Sequence, residues 1–97
     1  MKYLVDIDNT ICLTIGSDYE NSTPYEDRIK HFNALYEAEN EIVYFTSRGK
    51  NSGLDWFVLT KEQLTKWGVL HTALLMEKPS YDILIDDKCI NTNLYFT

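Results

Sequence analysis

The apolar positions of this chain fall into short runs, each cut by a polar group. "KYLVDI" (2–7) is β-prone without clean alternation, as a strand buried on both faces is. "TIGSDYENS" (14–22) is rich in Gly, Ser, Asp and Asn and reads as a loop. Apolar residues then recur at Tyr25, Ile29, Phe32, Leu35 and Tyr36, one face of a helix reaching about Ala38. Thr23 suits its N-cap, Pro24 its first turn, and Glu26 completes a capping box. Asn40 is placed to end it. "EIVYF" (41–45) is a second strand of β-branched and aromatic residues. "GLDWFVL" (53–59) reads as a helical turn or short helix. Thr60 and Gln63 form a second capping box, for a helix through Trp67 with Gly68 at the position after its end. "TALLM" (72–76) is a third strand and "EKPSYD" a turn, since a residue before proline favours extended geometry. "DILI" (82–85) is a fourth strand, and the tail "NLYF" (93–96) offers a short fifth.

That order predicts an α/β fold: a Rossmann-like open, mainly parallel sheet with flanking helices, in one domain over residues 1–97. Ligands in such sheets bind beyond the carboxyl ends of the strands. The first strand delivers Asp6 and Asp8 there, and the second Thr46, Ser47 and Arg48. The turn after the third delivers Lys78, and the fourth runs into Asp86 and Asp87. Each is ordinary by itself: aspartate, threonine and serine favour turns, and a lone lysine is usually solvated. Their gathering at one sheet edge is what suggests a site.

Charge narrows the chemistry. The formal net charge is −6, which argues against a nucleic-acid or membrane-surface binder. Packed carboxylates repel and raise one another's pKa unless a cation is shared. Mg²⁺ is the natural candidate, because it takes oxygen ligands and keeps positions open for a phosphate. A carboxylate can be a nucleophile, and a second one an acid and base. Cys12 and Cys89 lack metal-site spacing and read as reduced core or near-core thiols. Asp6 and Asp8 interrupt the first apolar run, so a signal peptide is not expected. The expectation is a soluble cytoplasmic protein.

"DIDNT", "YFTSR", "KP" and "IDDK", in this order, resemble the four motifs of the haloacid dehalogenase-like (HAD) phosphatases. Residues 3 to 91 are similar to small members of that superfamily associated with capsule and surface-polysaccharide biosynthesis. The resemblance implies a minimal core without a cap domain and a Mg²⁺-dependent phosphomonoesterase. Its substrate would be a small phosphorylated molecule, such as a sugar phosphate. Asp6 would be the nucleophile and a metal ligand; Asp8 the general acid/base, its backbone carbonyl on the metal. Thr46 would bind phosphoryl oxygens and Lys78 neutralise charge. Asp86 would ligate Mg²⁺, supported by Asp87. Asn9, Ser47 and Arg48 are candidates for contacting the substrate, with a structural salt bridge as the alternative for Arg48. Asn9 stands where many relatives carry Gly, and asparagine tolerates left-handed backbone.

With no room for a cap, the site should be open, or closed by the 9–22 loop or a neighbouring subunit of a homo-oligomer. Trp56 and Phe57 are core packing or a substrate or subunit contact. His31 and His71 read as structural or surface residues. Two rival readings are a HAD-like module without turnover and a receiver-type phosphoacceptor domain. In a receiver the lysine comes last, whereas here Lys78 precedes Asp86 and Asp87.

Overall fold

The computed structural model describes residues 1–49, 55–79 and 81–97. It runs β1 (Lys2–Asp6), β2 (Cys12–Leu13), a 3-10 turn (Tyr19–Asn21), β3 (Thr23–Pro24), α1 (Glu26–Glu37), β4 (Glu41–Phe45), α2 (Phe57–Lys66), β5 (Ala73–Leu75) and α3 (Thr92–Tyr95). Residues 53 and 54 of the apolar stretch 53–59, and Ser80 of the turn, lie outside the described residues.

β1, β4 and β5 form a parallel sheet in that order, with Val5 opposite Tyr44 and Asp6 opposite Phe45. Strand periodicity sends Val5, Ile42 and Tyr44 to one face. They pack with Ile29 and Phe32 of α1 and Leu64 of α2 in one core. Both connections therefore place their helix on the same face. Right-handed crossovers that run one way across a sheet require this. The opposite face carries Leu4, Asp6, Val43, Phe45 and Leu75, and Leu4 and Leu75 are exposed. Asp6 thus lies on the face that α1 and α2 leave uncovered. No helix among the described residues is long and apolar enough to cross a membrane.

Both long helices end in a left-handed residue whose N–H, with that of the next residue, bonds back into the last turn. After α2 this is Gly68 at φ 68, with Gly68 N–H on Thr65 O (3.1 Å) and Val69 N–H on Leu64 O (2.9 Å). After α1 it is Glu39 at φ 70; Asn40, the next residue, donates to Leu35 O from its backbone (3.1 Å) and its side chain (2.9 Å).

Neither capping box forms. Thr23 and Pro24 pair with Leu13 and Cys12 as an antiparallel ribbon, so α1 begins after them without a side-chain cap. α2 begins at Phe57, whose N–H donates to Asp55 Oδ1 (2.9 Å), which puts Thr60 and Gln63 inside the helix. The expected fourth strand is also absent. Residues 81–90 are all exposed, Ile83 at 78% and Ile85 at 92%, and the outer edge of β1 has no strand partner among the described residues. A strand needs paired backbone groups and a covered face, and 82–85 has neither. The tail forms α3 rather than a strand. Asn91 Oδ1 caps it from Asn93 N–H (3.0 Å), and Tyr95 stacks on Phe32 at 5.8 Å. Cys12 is buried and Cys89 exposed, so only the first is a core thiol.

Candidate active site

β1 ends in Asp6, whose Oδ1 accepts the Ile7 N–H (2.9 Å). Its Oδ2 is 3.2 Å from Lys78 Nζ. Lys78 reaches it because the turn after β5 folds back, with Lys78 N–H on Thr46 O at 3.1 Å. The ammonium also lies 4.8 Å from the centre of the Phe45 ring, on the face that Asp6 shares. Burial pushes the Asp6 carboxyl above its ordinary value; Lys78 and the Ile7 N–H pull it down without cancelling this, and Asp8 adds a smaller push. At Lys78 burial works against the ammonium, but Asp6 and Tyr81 more than offset it and hold its pKa above the ordinary value. The two partners thus shift the same way for opposite reasons: desolvation prevails at the acid, attraction at the base.

Beyond the strand the chain turns at Asn9, which is left-handed (φ 63) as its side chain permits. Asn9 Oδ1 accepts the Thr14 N–H (3.1 Å), so this side chain holds the turn. Asp8 faces a different cation. Arg48 Nη2 donates to Asp8 Oδ1 (2.8 Å) and Nε to Oδ2 (3.1 Å). Thr14 Oγ1 donates to Oδ1 (2.7 Å). The Arg48 side chain is 0% exposed and that of Asp8 20%. Arg48 is therefore no surface contact for a leaving group; of its two readings, the structure shows the salt bridge. Thr46 is buried and its Oγ1 accepts the Arg48 N–H (3.1 Å), leaving the hydroxyl hydrogen to donate elsewhere. Ser47, next to it, is half-buried.

Asp6, Asp8, Thr46, Arg48 and Lys78 thus come from three strand ends into one neighbourhood. Asp86 and Asp87 do not join them. Both are exposed, and Asp86 Oδ1 accepts the Lys88 N–H (2.7 Å) in a local turn. Among the described residues no group of three or more His, Cys, Asp or Glu could hold a metal ion. The acids at the end of β1 are compensated instead by one cation each, Lys78 for Asp6 and Arg48 for Asp8.

Sequence reasoning missed the residues behind Arg48. Thr60 Oγ1 (3.1 Å) and Gln63 Oε1 (2.6 Å) accept from its Nη1, and the Tyr19 ring lies 4.8 Å from the guanidinium. The signal was present: Thr60, Gln63 and Leu64 are one inward stripe at helical spacing, with two polar members. Trp56 meets Tyr19 edge-on at 5.2 Å, while Phe57 is 43% exposed. His31 bonds the Tyr95 hydroxyl (2.9 Å), a structural role.

No family model matches the chain, and no curated protein matches it. One solved structure does. A crystal structure of an MCSG target from Vibrio cholerae is 26% identical, with a TM-score of 0.85 over 95% of this chain and 84% of that one. The likeness supports the small α/β fold with its three-stranded parallel sheet.

Proposed function

We propose that the chain is a phosphomonoester hydrolase of the HAD type, with Asp6 as nucleophile. The observation that carries the reading is the Asp6–Lys78 pair, 3.2 Å apart at the carboxyl end of the sheet beside Thr46 and Asp8. Asp6 Oδ2 attacks phosphorus, and the bond from phosphorus to the ester oxygen breaks. Asp8 gives its proton to that leaving oxygen. Water then attacks the aspartyl phosphate and loses a proton to Asp8; phosphate leaves and both carboxyl groups are restored. Lys78 and the Thr46 hydroxyl supply positive potential to the phosphoryl oxygens.

The resemblance also brings in Mg²⁺ as cofactor, held by Asp6, the backbone carbonyl of Asp8, Asp86 and Asp87. The donors of this structure do not fit that role. Asp6 Oδ2 lies against Lys78, and Asp86 and Asp87, which would complete the ligand set, stand in a separate exposed turn. The chemistry available from this chain is that of its own two ion pairs.

Between Asp8 and Thr46, and between Thr46 and Lys78, the described elements are β2, the 3-10 turn, β3, α1 and β4, then α2 and β5. None is a cap, which suits an open site and a phosphorylated sugar or related small metabolite. The test is phosphate release from a panel of sugar phosphates, nucleotides and aryl phosphates, with and without Mg²⁺, comparing wild type with Asp6→Asn. Turnover that vanishes in the variant supports the covalent route, and turnover that survives removes it. The isolation of Asp86 and Asp87 favours one second reading, a phosphate-binding module without turnover. Phosphate binding with no hydrolysis across the panel selects it.

A further inference from the structure

We propose that Arg48 is a positioning residue for Asp8, and that it leaves Asp8 Oδ2 as the oxygen that carries the proton. The inference rests on the reading of Asp8 as acid and base. A buried ion pair is weak support for stability, since apolar side chains fill such a space as well. Its value lies in geometry. The Nε and Nη2 edge of Arg48 meets both carboxylate oxygens, which fixes the plane of the group as well as its distance.

Arg48 is itself fixed from behind. Its Nη1 donates to Thr60 and Gln63 of α2. Thr60 donates on to Trp56 O (2.8 Å), and Gln63 Nε2 to Tyr19 O (2.6 Å). The guanidinium lies over the ring of that same Tyr19. Helix α2 and the 14–22 loop therefore meet at Arg48, and through it they set the aim of Asp8.

The two oxygens of Asp8 are not equivalent. Oδ1 receives Arg48 Nη2, Thr14 Oγ1 and a longer share of Arg48 Nε (3.3 Å), with the Cys12 thiol at 3.8 Å. Thr14 has one hydroxyl hydrogen and spends it on Asp8, so Ser22 must donate in the 2.7 Å contact between Ser22 and Thr14. Oδ2 receives only Arg48 Nε among the described residues. It keeps lone-pair capacity for a proton, and Oδ1 does not.

General-acid help matters most when the leaving oxygen is basic. The experiment measures kcat and KM for aryl phosphates from dinitrophenyl to phenyl phosphate, in wild type, Arg48→Lys and Gln63→Leu. We expect Arg48→Lys to lower kcat about 10²-fold for phenyl phosphate but less than about 5-fold for dinitrophenyl phosphate, with little change in KM. Gln63→Leu keeps the Arg48–Asp8 pair but removes its strut, and should show the same trend at smaller amplitude. If Arg48→Lys does not fold, Gln63→Leu carries the test alone. Equal losses across the series, or a change confined to KM, overturn the positioning role and leave the phosphatase reading standing. A wild type that hydrolyses none of the esters overturns both.

Discussion

Asp6 and Asp8 follow an apolar run that has a strand at its flank and two helices on one face. Asp86 and Asp87 follow a run equally apolar, Ile83-Leu84-Ile85, that has neither. The first run buries Val5 and Ile7 and delivers its acids to two cations at fixed distances. The second leaves every side chain in water. Apolar composition gives a segment the capacity to be a strand; a hydrogen-bonding partner and a covering layer decide whether it becomes one. Both helical connections run the same way across the sheet and cover one face only. Among the described residues the other face and the outer edge of β1 receive no helix, which leaves Asp6 approachable and 82–85 without a layer to join.

The sharpest way to test that contrast is to remove one acid from each run. Asp6→Asn should lower phosphate release to the uncatalysed level, a loss of about 10³-fold or more, because no other group replaces the nucleophile. Asp86→Asn should cost far less if its carboxylate stays in the exposed turn. A comparable loss would place Asp86 in the working site, and Mg²⁺ titration of both variants would show whether a metal joins the two pairs.

Lys78→Met comes next, with a loss of about 10²-fold in kcat/KM from the missing charge stabilisation. It also moves the pH profile. Asp6 attacks as the carboxylate, so the rate falls as pH falls through its pKa, which burial has already raised. Without Lys78 burial acts with less opposition, and the acid limb shifts to higher pH. The stability sign follows from the same shift. Between the ordinary 3.8 and the raised value, native Asp6 binds more protons than unfolded Asp6, so its contribution falls as pH rises across that window. The Lys78 contribution is full below 10.5 and is lost as pH rises through its raised value. An acid limb that stays put in Lys78→Met separates the pair.

Much of this architecture was legible. The strand over 41–45 coincides with β4, Gly68 takes the left-handed position after α2, and Lys78 reaches Asp6 from the turn after β5. These depend on local pattern or on where strands end. What was not legible depends on partners. Thr60 and Gln63 have capping-box spacing, but the same residues at the same spacing also serve as acceptors for a buried guanidinium. Only the position of Arg48 decides between the two. Thr23-Pro24 reads as a helix start until Cys12-Leu13 claims it for a ribbon. "DILI" reads as a strand because β-propensity is blind to whether a neighbour is there.

The smallest expected effect tests that last point most directly, by matching one apolar truncation in each region. Leu64 is 1% exposed in the core, and Leu64→Ala should cost about 2–5 kcal/mol by urea or thermal unfolding. Ile85 is 92% exposed, so Ile85→Ser should stay within about 0.5 kcal/mol of wild type. A cost above about 2 kcal/mol at Ile85 would mean that its side chain is buried in solution. The free edge of β1 is then the place to look, because a parallel strand there would carry Asp86 and Asp87 to the carboxyl end where Asp6 stands. Amide exchange at residues 83–85 distinguishes the cases. Fast exchange keeps the two acid pairs apart, and protection in the wild type that Ile85→Ser removes brings them together.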